Sequence, residues 1–308
     1  MKRFLLLLLL CCSAPSVYGK NLLTIHTYTS FVSPLYGPGT QLKEAFEKQN
    51  PDIEVKYVAN DTLPILLNRL RLEGKRTKAD LVLGLEDLVM DPALFEKTVP
   101  YASCCLAFTY DSEKIPQPPQ SLEALIQSPH KIILQDPRTS ITGFGFLVWM
   151  KKVYGEKATE KWKALAAHVL TFTKGWSDSA LLFKKEEAPI LLSYTTDALY
   201  HELTEGHPQF KAMVFPEGHL CSQIYAAKIK VTQNGALADK FINFLLTPEA
   251  QNLIVVKGWG YPVSGEIPDS WLKAENYLPA PVAIPFTSEE VTASSKKWLQ
   301  EWIDGLIQ

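Results

Sequence analysis

From position 22 onward the chain alternates strand-like and helix-like segments, and no other feature limits its fold so strongly. Leu22-Leu23-Thr24-Ile25-His26-Thr27-Tyr28 is a β-branched run that stops at Thr29-Ser30, and Gly37-Pro38-Gly39 then opens an amphipathic stretch through Leu42, Ala45 and Phe46. Ile53 to Ala59 reads as a strand, Leu63 to Leu72 as a helix with Leu66, Leu67 and Leu70 on one face, and Ala79 to Leu83 as a strand again. Strands separated by helices do not pair as hairpins, so a mainly parallel sheet flanked by helices is expected. Cys104 to Tyr110 gives a further strand. Pro116, Pro118 and Pro119 then interrupt the chain, and a second α/β unit follows: strands at 131–135, 170–173, 189–194, 210–215 and 223–231, with helices at 143–154, 158–168, 195–205, 236–246, 248–256 and 287–307. The expected fold class is α/β with two lobes. Residues 20–105 and 224–308 form the first lobe, 106–223 the second, and the last helix is free to pack on either.

At 308 residues with 46% hydrophobic and 21% charged positions, the chain is long enough for two such lobes and too apolar to be disordered. Its 31 basic and 33 acidic residues form no long run of one sign, which argues against a nucleic-acid partner. Met1-Lys2-Arg3, the apolar run Phe4 to Leu10 and the small residues after it have the layout of a cleaved secretory leader over 1–19, ending at Gly19/Lys20. The run is too short to span a bilayer. A lipid-anchor reading of Cys11 or Cys12 is disfavoured by Leu10 and Cys11, the bulkier residues that precede them. Removing Lys2 and Arg3 leaves 29 basic residues against 33 acidic ones, a formal charge of −4 for the exported chain. Of the five cysteines, Cys104, Cys105 and Cys221 remain in it, open to three readings: buried thiols, a disulfide from either neighbour to Cys221, or a reactive thiol.

Ligands of open α/β sheets bind beyond the carboxyl ends of the strands, so the loops that follow the strands matter most. Those loops are rich in rings: Tyr28, Phe31, Tyr36, Trp176, Tyr194, Tyr200, Trp259 and Tyr261 fall in or beside them. Stacked rings suit a flat, cationic heterocycle. Thr139-Ser140, Ser177 and Thr195-Thr196 stand at expected helix starts, where free N–H groups favour an anion such as phosphate, although each hydroxyl also fits ordinary capping. The six histidines show no metalloprotease pair, and there is no nucleophile elbow or phosphate loop, so neither a metal nor a cofactor is expected.

Several separated motifs carry a resemblance. Leu66-Leu67-Asn68-Arg69-Leu70, Lys78-Ala79-Asp80-Leu81-Val82-Leu83-Gly84-Leu85, Gln135-Asp136-Pro137-Arg138-Thr139-Ser140, Thr173-Lys174-Gly175-Trp176-Ser177, Leu192-Ser193-Tyr194-Thr195-Thr196 and Glu217-Gly218-His219 occur in the order found in the thiamine-binding periplasmic proteins of ABC importers, which the chain resembles over nearly its whole exported length. The resemblance implies a monomeric type II periplasmic binding protein that closes on thiamine, thiamine monophosphate or thiamine diphosphate between its lobes and delivers it to an inner-membrane permease. It also implies ligand contacts at Tyr28, Asp61, Thr62, Ser140, Ile141, Trp176, Tyr194, Thr195, Thr196, Asp197, Ala198, Tyr200 and Trp259. Trp176, Tyr200 and Trp259 would face the rings; Ser140 and the Thr195-Thr196 helix start would meet the hydroxyethyl or phosphate end.

The chain departs from that pattern twice. Asp61 is followed by Thr62-Leu63 instead of glycine, and Ala102-Ser103-Cys104-Cys105 replaces an aspartate and aromatic residues before the crossover strand. The cysteine pair motivates a rival reading as a thiaminase-like enzyme with a thiolate nucleophile, which would need an activating base. A binding protein for ferric iron, a polyamine or another pyrimidine is the remaining alternative, and the loops offer fewer acids than iron or a polyamine would want.

Overall fold

The structure is a computed structural model that describes residues 20–307. The expected leader at 1–19, with Cys11 and Cys12, lies outside the described residues. Strand β1 (Asn21–Tyr28) leads through a short 3-10 turn to helix α1 (Gly39–Gln49), then β2 (Ile53–Asn60), α2 (Leu63–Glu73) and β3 (Leu81–Glu86). Helix α2 starts where Thr62 is extended and Pro64 occupies the first turn, the one place where a proline costs no helical hydrogen bond. It buries Leu63, Leu66, Leu67 and Leu70 and ends at Gly74, whose φ of 53° lies in the left-handed region. Every residue of β3 is buried, as a central strand covered on both faces requires.

Strand β4 (Phe95–Asp111) is followed by α3 (Leu122–Ile126), β5 (Ile132–Gln135), α4 (Ile141–Tyr154), α5 (Ala158–Ala166), β6 (Val169–Thr173), α6 (Trp176–Lys184) and β7 (Ile190–Tyr194). Then come α7 (Asp197–Tyr200), β8 (Phe210–Met213), β9 (Cys221–Ile229), α8 (Gly235–Leu245), α9 (Pro248–Gly258), β10 (Tyr261–Pro262), α10 (Asp269–Leu272) and α11 (Ser288–Ile307). No helix among the described residues is long and apolar enough to cross a membrane.

The sheet order is β2-β1-β3-β9-β4-β7-β5-β6, with β8 and β10 also on β4. The outer runs are parallel as expected: β2, β1 and β3 on one side, β6, β5 and β7 on the other. The middle is antiparallel, because β4 and β9 run against each other and against β3 and β7. Strand β4 begins at Phe95, well before the expected Cys104. Its first part carries Glu96, Lys97 and Pro100 and lacks a clean apolar pattern; the ladder bulges between Phe95 and Lys97 and again between Pro100 and Ala102, where a residue without an N–H is tolerated. Up to Cys105 the strand pairs with β9; from Leu106 it pairs with β7.

The packing follows that change of partner. Leu23, Ile25, Phe46, Leu83, Phe241 and Ile254 share one core on the first side, and Leu66, Leu70, Val82 and Ala227 another. On the second side Phe108, Phe146, Trp149 and Trp162 form the largest core, and α11 inserts Val291, Trp298 and Trp302 into it. The last helix thus lies against the 106–223 half, tied also by Lys151 to Glu301 at 2.7 Å and Lys152 to Glu290 at 3.0 Å.

Candidate ligand-binding cleft

The carboxyl ends of β1, β2, β3, β5, β6 and β7 open onto one cavity of about 430 Å³. Eleven of the thirteen residues singled out from sequence line it: Tyr28, Asp61, Thr62, Ser140, Ile141, Trp176, Tyr194, Thr196, Asp197, Tyr200 and Trp259. Thr195 and Ala198 do not. Tyr194 ends β7 with its side chain towards the cavity, so the next side chain turns away; the Thr195 hydroxyl meets the Tyr261 hydroxyl at 2.8 Å, and Ala198 is fully buried behind it.

The rings form a connected wall. Tyr36 meets Trp176 edge-on at 5.3 Å and Tyr200 at 6.2 Å; Tyr200 meets Trp259 at 5.4 Å, and Trp259 stacks on Trp271 at 5.7 Å with 6° between planes. Both tryptophans that line the cavity are fixed from behind. The Trp176 indole N–H donates to Ser193 Oγ at 2.8 Å, and Trp259 sits at the end of α9 with a φ of 57°, its carbonyl accepting from Thr196 Oγ1 at 2.7 Å. A non-glycine residue in the left-handed region is uncommon, and this one presents its ring to the cleft. Tyr28 lies across Gly84, where a Cβ would come within 2.1 Å of the ring. Burial pushes the phenols of Tyr28 and Tyr194 well above their ordinary range, so both stay neutral donors.

Five helices start at the same cavity, α1 behind Pro38 and α7 behind Thr196 besides α2, α4 and α6. Thr62 precedes α2 and its buried hydroxyl has no partner; Ser140 precedes α4 and accepts from the Gly143 N–H at 3.4 Å; Gly175 precedes α6. The Thr142 hydroxyl shares a 3.0 Å hydrogen bond with Tyr194. Asp61 and Lys174 form an ion pair across the mouth, and both are more than half exposed. Asp197 accepts from Thr109 Oγ1 at 2.6 Å and lies 3.7 Å from the His201 ring.

Lys174 and Glu86 were missed from the sequence, although the first stands beside Trp176 in a quoted motif and the second is the acid that ends an otherwise apolar strand. The cysteines resolve as a Cys105–Cys221 disulfide with Cys104 free on the cavity wall. Burial, then the carboxyls of Glu86 and Asp87, push the Cys104 thiol far up, and no histidine lines the cavity among the described residues. A nucleophilic thiol needs the opposite setting. No group of three His, Cys, Asp or Glu placed to hold a metal occurs among the described residues.

The sequence matches the family of bacterial extracellular solute-binding proteins over residues 33–260. The chain belongs to that family. The solute-binding protein is 40% identical to the thiamine-binding periplasmic protein of Salmonella typhimurium over 98% of each chain, and 41% identical to that of Escherichia coli over 96% of each. It superposes on a solved periplasmic thiamin binding protein with a TM-score of 0.88 at 38% identity, covering 94% of this chain and 97% of that one. The periplasmic binding protein AfuA from Actinobacillus pleuropneumoniae, at 19% identity and a TM-score of 0.76 over 94% of this chain and 99% of that one, shares the fold alone. The architecture is that of a two-lobed type II periplasmic binding protein, with the cavity between two α/β units.

Proposed function

We propose that this chain captures thiamine, thiamine monophosphate and thiamine diphosphate in the periplasm and delivers them to an inner-membrane ABC permease. The observation that carries the reading is the ring-walled cavity, in a chain about 40% identical over nearly its full length to proteins that bear the name thiamine-binding. The volume falls within the range of small-ligand sites, roughly 300 to 1,000 Å³. Tyr28, Trp176, Tyr200 and Trp259 are assigned to the two heterocycles; a cation over one well-placed ring face gains about 0.5 to 2 kcal/mol. Thr62, Ser140 and Lys174 are assigned to the hydroxyethyl or phosphate end, where the starts of α2, α4 and α6 offer unpaired N–H groups and positive dipole ends. Asp61, Ile141, Tyr194, Thr196 and Asp197 shape the remaining wall, while Thr195 and Ala198 support it from behind.

The lobes in this reading are 20–105 with 224–308, and 106–223, hinged where β4 changes partners, with α11 riding on the second. The protein acts as a monomer without cofactor, exported by the leader at 1–19. In this reading it binds without chemistry, since burial and the carboxyls of Glu86 and Asp87 push the Cys104 thiol up, against what a nucleophile needs.

Tryptophan fluorescence of the ligand-stripped protein, titrated with thiamine and its two phosphates, tests the assignment. Saturable quenching is expected for all three, with Trp176→Ala weakening each by tenfold or more, as loss of about 1.4 kcal/mol or more requires. No response to any of them would sink the reading. Cleavage of thiamine with an added amine, abolished by Cys104→Ser, would replace it with the enzyme.

A further inference from the structure

Glu86 ends β3 inside the cleft, 8% exposed, and lines the cavity. The cavity wall it shares carries Tyr28 from β1, Tyr101 and Cys104 from β4 and Tyr194 from β7, with the Ser222 hydroxyl of β9 and the neighbouring Asp87 also acting on it. None is a cation. The other acids of the cavity are differently placed: Asp61 is paired with Lys174, Asp197 is bonded to Thr109, and Asp178 sits in the first turn of α6. The cleft therefore encloses one carboxyl among phenol rings with no positive partner, which is the setting of a site that receives its positive charge from outside.

We propose that Glu86 is the specificity-determining counter-charge for the cationic ring of the ligand, and that binding the cation is coupled to release of the Glu86 proton to solvent. The inference rests on the thiamine reading and adds to it the residue that would select a cation over a neutral heterocycle of the same shape. Its protonation follows from its surroundings. Burial, then the Asp87 carboxylate, push Glu86 up to about 8 against only partial relief from the Ser222 hydroxyl, so the free cleft holds a neutral acid at pH 7. A thiazolium placed against it favours the ionised form, and the O–H proton leaves to the buffer.

Calorimetric titration with unphosphorylated thiamine, in two buffers of different ionisation enthalpy, reads the proton directly; a phosphate ester would titrate in the same range. At pH 7 close to one proton is expected to be released per thiamine bound. Affinity is expected to rise on the order of tenfold or more between pH 6 and pH 8, since the free carboxyl begins to give up its proton over that interval and less of it has to be displaced by the ligand. Glu86→Gln should lose both the proton release and the pH slope, Glu86→Asp should keep the release, and a neutral 4-aminopyrimidine without the thiazolium should release none from the unaltered protein. Thiamine binding with a buffer-independent enthalpy, or a folded Glu86→Gln variant that keeps the slope, would overturn the counter-charge while leaving the thiamine reading intact. Failure of the unaltered protein to bind thiamine at any pH would overturn both.

Discussion

A carboxyl whose titration is pushed up by burial affects stability as well as binding. Glu86 sits at about 8 in the folded chain against an ordinary 4.5. The folded state therefore keeps a proton that the unfolded chain gives up; the contribution is complete below about pH 4.5 and is lost as the pH rises through about 8. Glu86→Gln has no charge to bury, so thermal scans of the ligand-free proteins should find the variant and wild type melting together near pH 4.5, and the variant higher by about 2 °C or more at pH 8. A variant that melts below wild type at pH 8 would mean that the carboxylate has a partner in the free protein. This residue also marks where the sequence stopped being legible. Rings in loops after strands stand out, because exposed Trp and Tyr need something to cover them, and Trp176, Tyr200 and Trp259 were found that way. An acid at the end of a strand looks like an ordinary solvated terminus, and only the convergence of β1, β4, β7 and β9 around Glu86 removes it from water. Thr195 lies off the cavity wall for a local reason: one residue beyond Tyr194, strand alternation points it at Tyr261.

Among the elements, β4 and β9 do most to hold the two halves in register, and the disulfide closes their shared ladder at its last pair, Cys105 opposite Cys221. Periodicity located most of the helices and the parallel strands to within a few residues. It did not locate the first half of β4, where charge, proline and bulges hide the strand, whereas the helix expected over 195–205 is there as α7 and the π-helical turn His201–Glu205 that continues it. The pairing of the cysteines was equally closed to inspection, because Cys104 and Cys105 are equivalent in sequence and differ only in which face of β4 they occupy. The crosslink joins residues 116 apart, so the chain-entropy estimate for its contribution is about 4 to 5 kcal/mol, and 2 to 4 is typical of measured cases. Cys221→Ser should lower the urea midpoint by that much in ΔG, and a reductant should lower wild type towards the variant while leaving the variant unmoved. Cys104→Ser should match wild type in both states. Equal reductant sensitivity in wild type and Cys221→Ser would show that the bond is absent.

At the scale of the whole molecule, the chain crosses between its halves by β4, by β9, and a third time on the way to α11, where His219 bonds to the backbone of Val282 at 2.9 Å and Ile284 at 2.8 Å. The final helix then contributes to one core only. Trp302 is 3% exposed, edge-on to Trp162 at 6.4 Å and Phe172 at 5.4 Å, with the Arg138 guanidinium 5.5 Å over its ring. Replacing a buried Trp by Ala costs about 3 to 5 kcal/mol, and here the whole cost falls on the second half. The core of Leu23, Phe46 and Phe241 contains no part of α11 and keeps its stability. Trp302→Ala is therefore expected to divide urea unfolding into two steps. Fluorescence, dominated by Trp149, Trp162 and Trp298 of the weakened core, should fall before far-UV circular dichroism, which reports both halves. On the proposed reading thiamine touches both walls of the cleft and binds only when both are folded, so at saturation it should raise the first transition and bring the two probes back together; a hundredfold excess over Kd supplies about 2.7 kcal/mol. Coincident transitions in the ligand-free variant would mean that β4 and β9 couple the halves more strongly than the lost core can separate them. Persistently separate transitions with thiamine present would place the ligand on one half alone.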